Sequence, residues 1–205
     1  MELLKPIQQY IEKLDVSSIS EERKALLQPL IDYLNSKKEK DSAILLNFIC
    51  THNSRRSHFA QIWAQAMAAY YSLPNIECFS GGTETTSLFP MVATTLEATG
   101  FKISKEPKEE NPLYKISFSE TASPILGFSK TYDAASNPKT GFAAIMTCSQ
   151  ADAGCPFVAG SDKRISITYE DPKVSDGTPK QKETYLDRSQ QIATELKYVF
   201  SKIDN

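Results

Sequence analysis

Residues 43–49, AILLNFI, form a short and almost wholly apolar run that passes through CTHNSRRS directly into HFAQIWAQAMAAYYSL. An apolar run this short, bounded by polar residues, is the pattern of a central strand buried on both faces. Beyond it Phe59, Ile62, Trp63, Ala66 and Met67 recur at helical spacing, in a stripe that stops before Pro74. Strand, brief polar loop and helix in that order open a βα unit. Such units build parallel sheets, whose ligands sit beyond the carboxyl ends of the strands.

The rest of the chain repeats the alternation. A second strand is expected over residues 76–80, then a turn at Gly81 and Gly82, and a helix over about 87–99 closed by Gly100. FKISK and LYKISF read as two strands joined by the charged connector KEPKEENP. Residues 142–146 give another buried strand, ISITYEDP a further one ending at an acid, and residues 179–202 a last helix with Tyr185, Ile192, Leu196, Val199 and Phe200 turned inward. Residues 130–138, SKTYDAASNP without its first serine, are polar and read either as a surface connection or as a rim for substrate or reductant. Ahead of all this, residues 1–40 show two amphipathic helices. Ser18 or Ser20 supplies the second N-cap before Glu21 and Glu22, and a charged run from Ser36 to Asp41 closes it. The expectation is an α/β fold, a doubly wound parallel sheet flanked by helices, with a helical N-terminal extension over 1–41 and an α/β domain over 42–205.

Composition narrows the functions open to such a fold. Lys and Arg number 23 against 25 Asp and Glu, a formal net charge of -2, which leaves no overall electrostatic footprint for nucleic acid or for an acidic membrane surface. No apolar run approaches the roughly 18 residues of a membrane span, and charges interrupt the opening too often for a signal peptide. A cytoplasmic location is therefore expected. The four cysteines, Cys50, Cys78, Cys148 and Cys155, are too scattered for a disulfide scaffold, and with only His52 and His58 beside them they form no zinc-ligand pattern. No metal and no cofactor is expected. Cys78, within the second strand, reads as core.

Cys50, Thr51, His52, Asn53, Ser54, Arg55, Arg56 and Ser57 make a Cys-x5-Arg-Ser loop between strand and helix. A loop of this length can turn its backbone N–H groups inward and join them to the free donors of the helix N-terminus, forming a cradle for a tetrahedral oxyanion. Arg56 adds a planar fork for two of the anion's oxygens. Cys50 then lies beneath the anion in a field that favours thiolate, since comparable positions bring cysteine pKa values to roughly 3.5 to 7.5. Ser57 can donate to the sulfur, and Asn53 tolerates the left-handed backbone that holds such a loop. Further on, MTCSQADAGCPF places Cys148 and Cys155 in a polar stretch that reads as a surface loop. Spacing alone leaves open whether they are an incidental or a working pair. Asp171, before Pro172, stands beyond a strand end, and Asp176-Gly177 reads as a plain turn.

Residues 43–205 resemble the low-molecular-weight phosphotyrosine phosphatase superfamily and, within it, the thioredoxin-coupled arsenate reductases. The loop is similar to the family's Cys-x-Gly-Asn-x-Cys-Arg-Ser, with His52 in place of the glycine and Arg55 in place of the second cysteine. SGGTETTSLFP also resembles the stretch that follows in these proteins. The resemblance implies that Asp171 is the general acid. It further implies that Cys148, first of a Cys-x6-Cys pair followed by proline, attacks Cys50, and that Cys155 resolves it, leaving a Cys148–Cys155 disulfide for a thioredoxin-like dithiol protein.

Three functions follow in order. The first is arsenate reduction using Cys50, Arg56, Asp171, Cys148 and Cys155. The second is phosphatase action on phosphotyrosine or aryl phosphates through a phosphocysteine, which needs only Cys50, Arg56 and Asp171. The third is a non-catalytic oxyanion sensor.

Overall fold

The computed structural model describes residues 2–40, 42–107 and 110–203. The expected limits at Met1, Asp41 and Asn205, and Lys108 and Glu109 of the charged connector, lie outside the described residues. In chain order the elements are α1 (Lys5–Lys13), α2 (Glu21–Lys38), β1 (Ile44–Cys50), α3 (Arg56–Tyr70), β2 (Ile76–Gly82), α4 (Pro90–Ala98), β3 (Lys102–Lys105), β4 (Tyr114–Ser117), β5 (Ile125–Gly127), β6 (Phe142–Met146), α5 (Ser149–Gly154), β7 (Ser161–Ser166) and α6 (Gln181–Ser201).

The central sheet has the order β2-β1-β6-β7, and every pairing in it is parallel. β1 is apolar except at Asn47, whose amide donates to Tyr132 O at 3.0 Å, because strands flank it on both sides and its faces are covered, as the run 43–49 required. Its register with β2 ends at Cys50 opposite Gly82, and its register with β6 ends at Ile49 opposite Met146. Three strand ends therefore open onto one rim. A separate antiparallel sheet, β3-β4-β5, stands beside the parallel one.

Two expectations about strands are corrected. Gly81 and Gly82 are the last residues of β2, not a turn. A Cβ at Gly81 would come within 2.3 Å of Tyr132 Cα, and one at Gly82 within 2.4 Å of the Glu84 carbonyl oxygen, so glycine is there for close backbone approach. The strand expected over ISITYEDP starts earlier, at Ser161, and ends at Ser166. The chain beyond it stays tied to the sheet through Ile167 N–H to Met146 O (3.0 Å) and Tyr169 N–H to Thr147 O (3.1 Å), which carries Asp171 to the rim.

The N-terminal helices join the main core. Ile7, Ile11, Leu27, Leu30 and Leu34 pack in one cluster with Phe59, Trp63, Leu196 and Phe200. Tyr10 stacks on Trp63 at 5.4 Å between centroids, and Phe101 meets the same indole edge-on at 5.0 Å. Ser20, one of the two expected caps, caps α2: its Oγ accepts from Arg23 N–H at 3.2 Å. Lys197 of α6 donates to the carbonyls of Ile11 and Leu14, both at 2.8 Å, satisfying acceptors at the end of α1. Arg23 forks onto the buried Glu195 at 2.9 and 2.8 Å. Among the described residues no helix is long and apolar enough to cross a membrane.

Candidate functional site

The loop from Cys50 to Ser57 is shaped by where its carbonyl oxygens go. Cys50 O accepts from Thr83 N–H at 3.1 Å, and Thr51 O from Glu84 N–H at 2.8 Å. His52 O accepts from Ser129 Oγ at 2.8 Å, and Ser54 O from Phe89 N–H at 3.1 Å. These acceptors all face an outer wall made by the β2–α4 connection and Ser129. No peptide among the described residues is cis. In a trans peptide the N–H points opposite to the C=O, so the N–H groups of Thr51, His52, Asn53 and Arg55 face away from that wall. None of the four has a protein acceptor among the described residues.

Asn53 makes the bend with φ at +44°, a value that asparagine accepts at little cost. Its side chain is fully buried and bridges two elements: Nδ2 donates to Ser57 Oγ at 2.9 Å, and Oδ1 accepts from Lys130 N–H at 3.0 Å. Gly82 presses on the same bend, since a Cβ there would lie 2.7 Å from Asn53 N and from Thr51 O. Cys50 is buried, with its sulfur 3.1 Å from Ser57 Oγ. Arg56, the first residue of α3, donates through Nη1 to Tyr169 O at 3.0 Å and through Nη2 to Asp171 Oδ2 at 2.5 Å.

The second thiol reaches this rim. Thr147 N–H bonds Ile49 O at 2.7 Å, so the end of β6 lies alongside the end of β1. Cys148 follows, fully buried, with its sulfur 3.4 Å from Thr51 Oγ1. MTCSQADAGCPF is thus not simply a surface loop. Cys148 caps α5, accepting from Ala151 N–H at 3.3 Å, and the helix separates it from Cys155. Cys155 is half-buried, with its thiol 3.7 Å from Phe157 O, and Phe157 itself is 76% exposed. All four thiols are free.

His52 and Arg55 of the loop turn elsewhere. His52 is half-exposed, 3.4 Å from the carboxylate of Glu84. Arg55 donates to Tyr185 Oη at 2.6 Å and to Asp176 Oδ2 at 2.7 Å, and its guanidinium lies 4.1 Å over the Phe89 ring. Tyr185 also donates to Asp176 Oδ1 at 2.7 Å, and burial raises its pKa. Asp176 is more than the turn residue it resembles: it ties the segment after Asp171 to the anion loop.

Three further residues carry weight that local sequence pattern does not reveal. His58 is wholly buried, with Nδ1 3.4 Å from Ser80 Oγ; desolvation first, and the nearby Lys130 charge second, push its pKa down to about 3. It is a neutral packing residue. Lys130 and Asn137 are also buried, so the stretch 130–138 is not a plain surface connection. Burial lowers the Lys130 pKa to about 8. Cys78 is buried as expected, and burial raises its thiol pKa. Among the described residues no cluster of His, Cys, Asp and Glu could hold a metal ion.

The sequence matches no family model and no curated protein. Among solved structures the chain is similar to an arsenate reductase in its phosphate-binding state, with 18% identity over 78% of this chain and 99% of that one and a TM-score of 0.49. It is similar to a low-molecular-weight phosphotyrosine phosphatase from Vibrio cholerae O395, with 14% identity over 77% and 94% of the two chains and a TM-score of 0.48. It is also similar to an arsenate reductase from Archaeoglobus fulgidus, with 19% identity over 76% and 98% and a TM-score of 0.45.

Proposed function

We propose that this chain is a thiol-dependent arsenate reductase. The observation that carries the reading is the loop itself: four N–H groups without a protein acceptor among the described residues face away from a wall of satisfied carbonyls, with Cys50, Arg56 and Asp171 around them and Cys148 against Thr51. Arsenate binds to the N–H groups and to Arg56. The Cys50 thiolate forms a bond to arsenic, and an arsenate oxygen leaves as water, its proton supplied by Asp171. The Cys148 thiolate then attacks the Cys50 sulfur. The electron pair of the S–As bond passes to arsenic, As(V) becomes As(III), and arsenite departs, leaving a Cys50–Cys148 disulfide. Attack by Cys155 on Cys148 frees Cys50, and a thioredoxin-like dithiol protein reduces the resulting Cys148–Cys155 bridge.

The test is to incubate reduced protein with arsenate and map the cysteines. A Cys148–Cys155 bridge that forms in the parent chain and not in Cys50→Ser supports the relay. Undiminished arsenate reduction by Cys148→Ser or Cys155→Ser rejects it.

A second reading has its own support in the direct contact of Asp171 with Arg56. Together with Cys50 these two suffice for a phosphatase acting through a phosphocysteine, without any use of Cys148. Burst release of phenol from an aryl phosphate, with no bridge formed, favours that reading.

A further inference from the structure

α5 lies between Cys148 and Cys155, and its last turn is gripped from the neighbouring strand. Arg164 of β7 stands opposite Ala144 of β6 in the parallel sheet. Its Nε donates to Cys155 O at 3.0 Å, and its Nη2 donates to Asp152 O at 2.5 Å and to Asp152 Oδ1 at 2.6 Å. One guanidinium thus holds two main-chain oxygens three residues apart in sequence. In an extended chain three residues reach about 10 Å, too far for a single planar fork. The contact therefore exists only while residues 152–155 are coiled.

Little else keeps α5 wound. Its six residues are far fewer than the roughly 12–15 that an isolated helix needs, and of them only Ala151 is buried. Cys148 Sγ caps one end by accepting from Ala151 N–H at 3.3 Å. Arg164 serves the carbonyl oxygens at the other end, where a cation also suits the helix dipole. Cys148 itself is fully buried where β6 ends, so closing a bridge draws Cys155 toward it. A bridge tolerates only about 7 Å between Cα atoms, less than the wound helix spans at about 1.5 Å per residue. Closure uncoils the segment and pulls Cys155 O and Asp152 O out of the Arg164 fork.

We propose that Arg164 is a latch on α5 that stabilises the dithiol form of Cys148 and Cys155 and thereby sets the potential of that pair, a positioning role that rests on the relay proposed above. In this couple the disulfide takes two electrons and two protons to give two thiols. The Arg164 contacts are present with the thiols and lost with the bridge, so they raise the potential. The bridge is then easier for a dithiol protein to reduce, and the resting enzyme is harder for a stray disulfide to oxidise. The Arg164 and Asp152 side chains are 26% and 30% exposed, so the ion pair contributes little and the charged donor's bonds to the two carbonyl oxygens carry the effect.

The experiment equilibrates the full chain in mixtures of reduced and oxidised dithiothreitol, in a Cys50→Ser background that removes the competing Cys50–Cys148 bond. Dithiothreitol supplies the two electrons and closes to its own cyclic disulfide. Free thiols are alkylated, and the Cys148–Cys155 bridge is quantified by peptide mass spectrometry. Arg164→Met should require about tenfold more reduced dithiothreitol at half-oxidation, a potential about 30 mV more negative. Arg164→Lys keeps the charge and loses the fork, so its midpoint should move the same way by less. A midpoint in Arg164→Met equal to the parent's, or shifted the other way, overturns the latch alone. Should Arg164→Met fail to fold, Arg164→Lys decides, and a midpoint equal to the parent's overturns the latch. A parent chain that forms no Cys148–Cys155 bridge at any ratio overturns the relay and the latch with it. Arsenate is absent throughout, so loss of arsenate reduction and loss of the latch are read separately.

Discussion

Asp171 Oδ2 lies 2.5 Å from Arg56 Nη2, so the side chain proposed to deliver a proton occupies the fork proposed to hold the substrate. An arriving oxyanion competes with Asp171 for that guanidinium. Asp171→Asn keeps the shape and removes the competing charge. The expected outcome is tighter inhibition by inorganic phosphate together with a kcat lowered by about 10²-fold or more, the usual worth of a positioned acid. Steady-state kinetics with phosphate as inhibitor measure both; an unchanged kcat would remove Asp171 from the chemistry.

Cys148 and Cys155 cap opposite ends of α5. Seven residues at a helical rise of about 1.5 Å span about 10 Å, beyond the roughly 7 Å Cα separation that a disulfide tolerates. Bridge formation therefore requires α5 to unwind. Oxidised protein should show faster amide exchange across 149–154 and less helical circular dichroism, both reversed by dithiothreitol and both absent in Cys155→Ser. Unaltered exchange in a chain carrying the bridge would disprove the unwinding.

Arg55 is an anchor. Its guanidinium joins Asp176, Tyr185 and Phe89, with only 12% of the side chain exposed. Arg55→Ala removes the donor to Asp176 Oδ2 and one tyrosine contact, while Tyr185 and Gln181 still donate to Oδ1, and is expected to cost about 1–3 kcal/mol in urea unfolding. Tyr185→Phe, which removes the hydroxyl alone, should cost about 1 kcal/mol. Wild-type stability in Arg55→Ala would show the network to be idle.

His58 makes stability depend on acid. Its pKa of about 3 in the folded chain lies below the ordinary 6.5, so the unfolded chain takes up the proton first as pH falls. The contribution is complete above about pH 6.5 and erodes toward about pH 3, by up to about 1.4 kcal/mol per pH unit. Urea midpoints compared between about pH 7 and about pH 5 should fall in the parent chain and change less in His58→Asn. Equal slopes in the two proteins would refute this assignment.

The strand, loop and helix around Cys50 were legible because their signals are local: an apolar run, a polar gap, then a stripe of helical period. Gly81 and Gly82 were misread for the opposite reason. Sequence marks a glycine as free to turn, whereas here the glycines admit the backbones of Tyr132 and Glu84, which lie far off or around a bend in the chain. The span between the thiols looked like a loop because of Gly154 and Pro156, yet Gln150 to Ala153 can form one helical turn once Cys148 caps it. Asp176 and Lys130 were obscure because their roles depend on distant partners: Arg55 and Tyr185 for the first, and for the second Asn53, which its backbone meets.

The ring of Trp63 rests between Tyr10 of the first helix and Phe101, and its nitrogen donates to Ser189 Oγ at 2.9 Å. It is the sole tryptophan in the chain. Its fluorescence is thus a label-free gauge of whether the leading helix is seated: undocking would bare one face of the indole to water and shift the emission to the red.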